Sequence, residues 1–356
     1  MNKYKRIRDY GFQIGELATG KNNKITDIDG IKVGHNTLDD EHINTGVTAI
    51  LPHSGNVFRK KVIAASHVIN GFGKSTGLVQ INELGTIETP IVLTNTLNVG
   101  IAHQAVVKKM ISQNKDIGAK TGTVNPVILE CNDQYLNDIR GLHIKEKDIF
   151  KALNNTGKNF LEGAVGAGKG MSCYGLKGGI GSSSRKFNFG DKDYHLGAIV
   201  LSNFGKKKDF FLDGIKAGKA IRRKDKEMGR KNSDLDKKEK GSIIIVLATD
   251  IPVSNRQLTR ISKRALIGIN RTGSYMGNGS GEIVIAFSTA NKINHYEENE
   301  IVNMKIFNEN KIDKLFRAAA ESTEEAIYNS LICADTTKGR KGRKRYSLKD
   351  YIDYIV

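Results

Sequence analysis

The alternation of apolar and polar residues along the chain predicts short strands separated by helices. Ile25 to Asn36 alternates around Asp29-Gly30, a dipeptide typical of tight turns, and therefore predicts a hairpin. A final strand is predicted directly after Ser280, where apolar and small residues occupy both faces. The other strand-like runs lie at residues 46–51, 62–69, 90–94, 126–130, 197–203 and 242–250.

Helical periodicity appears in three segments between and after these strands. The first helix is predicted to end near Gln113, the second stops at Gly273, and the third runs from Lys311 to about Ala334. Strands mixed with helices, without an internal repeat, indicate an α/β protein built of packed layers. The apolar positions that define the first two helices are Val99, Ala102, Val106 and Met110, then Leu258, Ile261, Ala265 and Ile269.

The composition indicates a soluble globular protein. Hydrophobic residues make up 38% and charged residues 26% of the 356 positions. No apolar run approaches the roughly 20 residues of a membrane span, and the N-terminal segment lacks the apolar core of a secretory signal. Cys131, Cys173 and Cys333 are far apart and form no CxxC pair. This pattern favours a reducing cytoplasm over a disulfide framework, and it predicts no metal site.

The net charge of +18 is concentrated in residues 206–240 and 338–345. A basic surface of this kind can bind nucleic acid or an acidic membrane. Neither segment interleaves aromatic residues with its bases, so a solvated lysine-rich surface is favoured and neither partner is expected. Few apolar residues follow Ile221, and residues 219–240 therefore predict a mobile basic loop.

The candidate chemistry lies in residues 272–291, TGSYMGNGSGEIVIAFSTAN. Gly279-Ser280 places a conformationally free residue before a nucleophilic side chain at the start of a strand. A serine so placed can attack the preceding carbonyl in an N-to-O acyl shift. Hydrolysis of the ester would leave Ser280 as an N-terminus, whose amine, with a pKa of about 8, can activate its own hydroxyl. The alternative is an ordinary turn serine.

Several motifs together resemble the self-processing aminopeptidases typified by the L-aminopeptidase/D-esterase and the β-peptidyl aminopeptidases. The resemblance covers nearly the whole chain. It implies one catalytic domain over residues 1–356, folded as a four-layer αββα sandwich of the N-terminal-nucleophile type. It also implies cleavage between Gly279 and Ser280 into chains 1–279 and 280–356, and a homo-oligomer, expected to be a tetramer of processed protomers. The motifs are ITDIDGIKVGHNT (25–37), VINGFGKSTGLVQINELGTIETPIVLTNTLNVG (68–100), GAVGAGKGM (163–171), GLKGGIGSSSR (175–185), LATDIPVSNRQLTRISKRALIG (247–268) and GNGSGEIVIAFSTAN (277–291).

The resemblance also implies roles for individual residues. Ser280 is the nucleophile, and Asn203 donates to the oxyanion. Ser322 and Glu324 match a pair that assists the nucleophile, although residues two apart on a regular helix do not face each other. Substrate binding falls to Glu130, which would select a free amino end, and to Tyr135, a weaker match.

The glycine-rich segment 163–170, GAVGAGKG, nearly matches a phosphate-binding loop, but Gly170 stands where the magnesium-binding hydroxyl belongs. The resemblance suggests instead that this loop lines the site. The histidines show no metal-binding spacing, so neither a metal nor an organic cofactor is expected.

The resemblance implies a hydrolase for small peptides, amides or esters with a free amino end. Two alternatives remain open. An arginine-biosynthesis-type acetyltransferase shares the architecture but uses threonine as its nucleophile, and a basic binding protein would carry a vestigial site.

Overall fold

The computed structural model describes residues 4–230 and 241–355. Its main strands form a four-stranded small sheet, in the order β1-β2-β5-β6, and a six-stranded large sheet, in the order β4-β3-β12-β11-β10-β9. Two short hairpins complete the set, β7-β8 and β13-β14. The strands are β1 (Lys32–Asp39), β2 (Asn44–Leu51), β3 (Lys60–Gly71), β4 (Thr86–Ile87), β5 (Ile91–Asn95), β6 (Val127–Cys131), β7 (Ser172–Cys173), β8 (Leu176–Lys177), β9 (Gly179–Phe189), β10 (Lys192–Asn203), β11 (Ser242–Thr249), β12 (Gly281–Asn294), β13 (Thr337–Lys338) and β14 (Lys344–Arg345).

The helices flank the two sheets on their outer faces. Helices α2 and α3 cover the small sheet, whereas α5, α6 and α7 pack on the large sheet. Short 3-10 turns connect several elements. The α-helices are α1 (Leu78–Leu84), α2 (Val99–Gln113), α3 (Glu146–Asn154), α4 (Ala217–Glu227), α5 (Asn255–Ser262), α6 (Ala265–Arg271), α7 (Asp313–Ile332) and α8 (Ile352–Ile355).

Successive side chains of a strand point to opposite faces of the sheet, and this alternation explains the four layers. On β11, Ile243, Ile245 and Leu247 pack against the helices outside the large sheet. Their neighbours Ile244, Val246 and Ala248 face the small sheet and join the core between the two sheets. Because both faces of the strand are covered, β11 is apolar at nearly every position. The layers are helix, sheet, sheet and helix, which confirms the predicted αββα sandwich.

One end of the large sheet positions the site. Strands β11 and β12 run parallel, with Ser242 opposite Gly281, and β10 pairs antiparallel with β11, with Asn203 opposite Ser242. Strand β3 flanks β12 on its other side, with Asn70 opposite Glu282. Four neighbouring strands therefore bring residues distant in sequence to the same edge.

The predicted hairpin at residues 25–36 is wrong in its first half. Ile25–Asp27 form a 3-10 turn, and only Lys32–Asp39 pair as a strand. The carboxylate of Asp27 accepts hydrogen bonds from the backbone N–H groups of Asn22 and Lys24, which closes a local turn instead of extending the chain.

The segment predicted as a mobile basic loop, residues 219–240, is helical in its first part. Helix α4 extends through Glu227 and buries Ala217 and Ile221 in the core outside the large sheet. Tertiary packing of these two side chains outweighs the low apolar content that suggested a loop. Residues 231–240 lie outside the described part of the chain.

The other helix predictions hold, with one refinement. The second predicted helix is divided into α5 and α6 by a break at Lys263 and Arg264. The third corresponds to α7. Within the described residues, no helix is long and apolar enough to cross a membrane.

Candidate active site

A cavity of about 320 Å³ opens at the edge of the two sheets and is called here the catalytic cavity. Strand residues from both sheets line it, together with residues from the loops that follow those strands. Glu130, Tyr135, Asn203 and Gly279, four of the residues named from the sequence, lie on its wall. Ser280 is fully buried directly after Gly279. The fold thus collects most of the predicted site into one place.

Ser280 makes a hydrogen bond that the sequence reasoning did not anticipate. Its Oγ donates to the carboxylate Oε1 of Glu282, which is also completely buried. Residues i and i+2 of a strand share one face, so the start of β12 places the two side chains together. The signal was present in the sequence as Ser-Gly-Glu.

The backbone around Ser280 is held from both sides. The N–H of Ser280 donates to the carbonyl oxygen of Gly277 at 2.9 Å, which closes a tight turn before β12. The amide of Asn70 donates to the carbonyl oxygens of Gly277 and Ser280. A Cβ atom on Gly281 would lie 2.6 Å from the carbonyl oxygen of Phe72, so only glycine fits beside Ser280.

Asn203 is held with its amide nitrogen toward the cavity wall. Its Oδ1 accepts from the N–H of Ser172 at 2.8 Å, and its Nδ2 donates to the carbonyl oxygen of Asn132 at 2.9 Å. An amide nitrogen carries two hydrogens, and Asn132 uses one of them. The second hydrogen can therefore bind a developing negative charge.

Glu130 presents a buried carboxylate in the catalytic cavity. Its Oε1 accepts from the backbone N–H of Lys74 at 2.8 Å, and its Oε2 accepts from the hydroxyl of Thr96. Both donors are neutral, so the negative charge remains available to a cationic ligand. A substrate ammonium group fits this environment.

Tyr135 shares the cavity wall with Arg345, a residue that sequence reasoning had assigned to a basic tail. The Arg345 guanidinium lies 3.7 Å from the centroid of the Tyr135 ring. Its Nε donates to the hydroxyl of Ser172 at 3.2 Å. The end of the basic run at residues 338–345 is therefore part of the site, a placement made by the fold and not by any local pattern.

Ser322 and Glu324 lie elsewhere. Ser322 faces the large sheet from α7, and its Oγ donates to the carbonyl oxygen of Leu196 at 3.4 Å. Leu196 is seven residues from Asn203 on β10, or about 23 Å along an extended strand. Glu324 pairs with Arg271 at 3.1 Å and accepts from Tyr328. Among the described contacts, neither side chain reaches Ser280, so the predicted assistance gains no support from the geometry.

Two buried ionisable groups lie behind the site. Burial raises the pKa of the Asp133 carboxyl, in the loop after β6, to about 7. Burial also lowers the pKa of the Lys177 ammonium well below its usual value. Lys177 donates to the carbonyl oxygens of Gly168 and Met171, both at 2.9 Å.

Lys177 thus fastens the glycine-rich segment 163–170 to the protein interior. A Cβ on Gly179 would lie 2.0 Å from the carbonyl oxygen of Gly163, so the segment packs tightly on β9. None of its residues lines the catalytic cavity. The expectation that this loop lines the site is wrong, because its close backbone approaches are to the core.

Solved structures share this fold. The PH0078 protein of Pyrococcus horikoshii OT3 superposes with a TM-score of 0.92 at 46% identity, covering 98% of each chain. The L-aminopeptidase D-Ala-esterase/amidase of Ochrobactrum anthropi, a prototype serine aminopeptidase with a variant Ntn-hydrolase fold, gives a TM-score of 0.88 at 34% identity over 99% of each chain. The fold and site therefore define a serine aminopeptidase of the N-terminal-nucleophile hydrolase class.

The sequence comparison identifies the family. The model of peptidase family S58 matches residues 23–345. The β-peptidyl aminopeptidase BapA of Sphingosinicella microcystinivorans is 35% identical over 354 residues, which cover 95% of this chain and 88% of that protein. The chain belongs to peptidase family S58.

Proposed function

We propose that this protein cleaves itself between Gly279 and Ser280 and then removes N-terminal residues from small peptides, amides or esters with a free amino end. The observation that carries the proposal is the hydrogen bond from Ser280 Oγ to the buried carboxylate of Glu282 beside a cavity that also contains Glu130. A nucleophile, a proton acceptor and a group for binding an amine are thus adjacent. The family membership supports the same activity.

Self-cleavage begins when Ser280 Oγ attacks the carbonyl carbon of Gly279 and passes its proton to Glu282. The C–N bond breaks, the nitrogen of Ser280 takes the proton, and an ester joins Gly279 to Ser280 Oγ. Water hydrolyses that ester. The products are a carboxylate on Gly279 and a free amine and hydroxyl on Ser280.

Turnover uses the same hydroxyl on an external substrate. Glu130 binds the substrate's ammonium group, which places the first carbonyl next to Ser280. The free amine of Ser280 or the carboxylate of Glu282 takes the hydroxyl proton and returns it to the leaving amine. The second amide hydrogen of Asn203 stabilises the oxyanion, and water then hydrolyses the acyl-enzyme to release the N-terminal residue.

The cellular setting extends the same proposal. Three buried cysteines without a disulfide suit a reducing cytoplasm, and the processed protomers are expected to form a tetramer. Size-exclusion chromatography with light scattering would measure the oligomer, and a monomeric mass would contradict the tetramer.

The intact mass of the denatured protein tests the proposal. Wild type should give two fragments, 1–279 and 280–356, and should hydrolyse aminoacyl p-nitroanilides. Ser280→Ala should remain one chain without activity. Ser242→Ala is a matched control, because Ser242 lines the same cavity and should leave both cleavage and activity in place. A wild-type chain that stays uncut at neutral pH and inactive would reject the proposal and favour a binding protein.

A further inference from the structure

A second cavity, of about 940 Å³, lies beside the catalytic cavity and is called here the basic cleft. Seven lysines and arginines line it, against a single acidic residue, Asp209. Most of them belong to α4 or to the residues around it. Lys216, Lys219, Arg222 and Lys226 are exposed, so a ligand can reach them.

Acidic side chains in the described part of the chain leave much of this charge uncompensated. Arg223 pairs with Glu227 at 3.8 Å, and Asp225 is occupied by Lys207 at 2.6 Å on the buried side of the helix. In the described ranges, no salt bridge involves Lys216, Lys219, Arg222 or Lys226. A cleft with one sign of charge concentrates ligands of the opposite sign.

The basic cleft lies close to the catalytic cavity along two stretches of the chain. Gly205 lines the catalytic cavity and Lys208 lines the cleft, three residues further along the chain. Tyr275 lines the cleft and accepts a hydrogen bond from Lys206, whereas Gly279 lines the catalytic cavity. Four residues of chain span at most about 14 Å. The cleft therefore begins within about four extended peptide residues of the cleavage position.

From this geometry we infer that the basic cleft binds acidic side chains in the downstream part of the substrate. The inference rests on the proposed function. A peptide whose amino end binds Glu130 would leave the catalytic cavity toward α4, where Asp or Glu residues from about the fourth position onward meet Lys219 and Arg222. The preferred substrates are acidic peptides, and short amides do not reach the cleft.

A nucleic acid would also be attracted to these cations, but it has no ammonium group to place at Glu130. The short distance along the chain between the two cavities favours one ligand that occupies both. That ligand is a peptide with a free amino end and acidic residues beyond it.

The test compares two hexapeptides with the same first three residues. These three residues are those of the peptide amide that the enzyme hydrolyses fastest. One continues with three glutamates and the other with three glutamines. We expect kcat/KM to be about tenfold higher for the glutamate peptide at low salt, mainly through KM. The ratio should approach one in 0.5 M NaCl, because salt screens exposed charges. This measurement needs no variant, and a ratio near one at low salt overturns the inference.

A charge-reversal pair locates the effect. Lys219→Glu with Arg222→Glu should remove the preference and leave p-nitroanilide hydrolysis unchanged. The control is Lys115→Glu with Lys120→Glu, two exposed residues near the Arg59–Asp116 pair at the opposite end of the large sheet. An equal loss in the control would show a net-charge effect and overturn the inference.

Two further outcomes are distinguishable. A wild-type protein that hydrolyses neither hexapeptide nor p-nitroanilide defeats the proposed function itself. The wild type could instead bind a single-stranded oligonucleotide tightly, lose that binding in the charge-reversal pair, and hydrolyse the two hexapeptides equally. This result would assign the cleft to nucleic acid and overturn the inference.

Discussion

Ser280 donates its hydroxyl hydrogen to the carboxylate of Glu282, two residues further along the same strand. Both side chains are completely buried, and the turn before Ser280 is held by Asn70. A carboxylate in this position can accept the hydroxyl proton before the α-amine of Ser280 exists. Under the proposed function, this pair activates Ser280 in the uncut chain without a histidine.

Glu282→Gln should slow self-cleavage strongly. Glutamine keeps an oxygen that accepts from Ser280 Oγ but cannot take the proton, and a general base contributes roughly 100- to 10,000-fold. The measurement is the time course of fragment formation followed by intact mass. Glu282→Asp, which keeps the carboxylate, should cleave itself faster than Glu282→Gln. Cleavage of the glutamine variant at the wild-type rate would limit Glu282 to a structural role.

Glu130→Gln should raise KM for substrates with a free amino end by about 10- to 100-fold, the range expected for losing a hydrogen bond to a charged group. Glutamine keeps an oxygen for the Lys74 N–H, so the loop should stay in place. Steady-state kinetics with an aminoacyl p-nitroanilide measure the effect. An unchanged KM would show that the amine binds elsewhere.

Asn203→Ala should lower kcat by about 100- to 1000-fold with a smaller change in KM, because an oxyanion donor acts mainly in the transition state. The kinetics of the variant must be compared with those of the wild type after both have been cleaved, and the intact mass shows whether cleavage is complete. Gln134→Ala alters another residue of the same cavity wall and serves as the control. Similar losses of kcat in both variants would contradict the assignment.

Asp133→Asn should flatten the dependence of stability on pH. Burial raises the pKa of Asp133 from 3.8 to about 7, so its contribution to stability is fully present below about pH 4 and is lost as pH rises through 7. The wild type should therefore lose on the order of 4 kcal/mol relative to the variant over this range. Urea denaturation at pH 4 and pH 8 measures the difference, with the exposed Asp191→Asn as control. Parallel pH profiles of wild type and Asp133→Asn would refute the prediction.

Local patterns were enough for the main elements of the fold. Strand β11 and helices α2 and α7 were predictable, because a run covered on both faces and a stripe of period 3.6 are properties of the segment itself. The prediction of a hairpin at residues 25–36 was wrong because the Asp27 carboxylate accepts hydrogen bonds from nearby backbone N–H groups. Helix α4 was missed because two buried side chains, Ala217 and Ile221, decide its structure.

Ser280 was likewise predicted as the nucleophile from Gly279-Ser280 and the strand that follows, together with the family motifs, and this assignment stays a prediction. The surroundings of the nucleophile could not be named. Arg345 reaches Tyr135 across 210 positions of sequence, and Glu130 and Asn203 meet at one cavity only because two sheets end there. The same packing keeps Ser322 beside Leu196, seven residues from Asn203 on β10. The sequence by itself determined the layers and pointed to the proposed reacting residue, since both depend on neighbours along the chain. Tertiary structure decided which distant side chains lie near Ser280, since strand register and sheet packing set those distances.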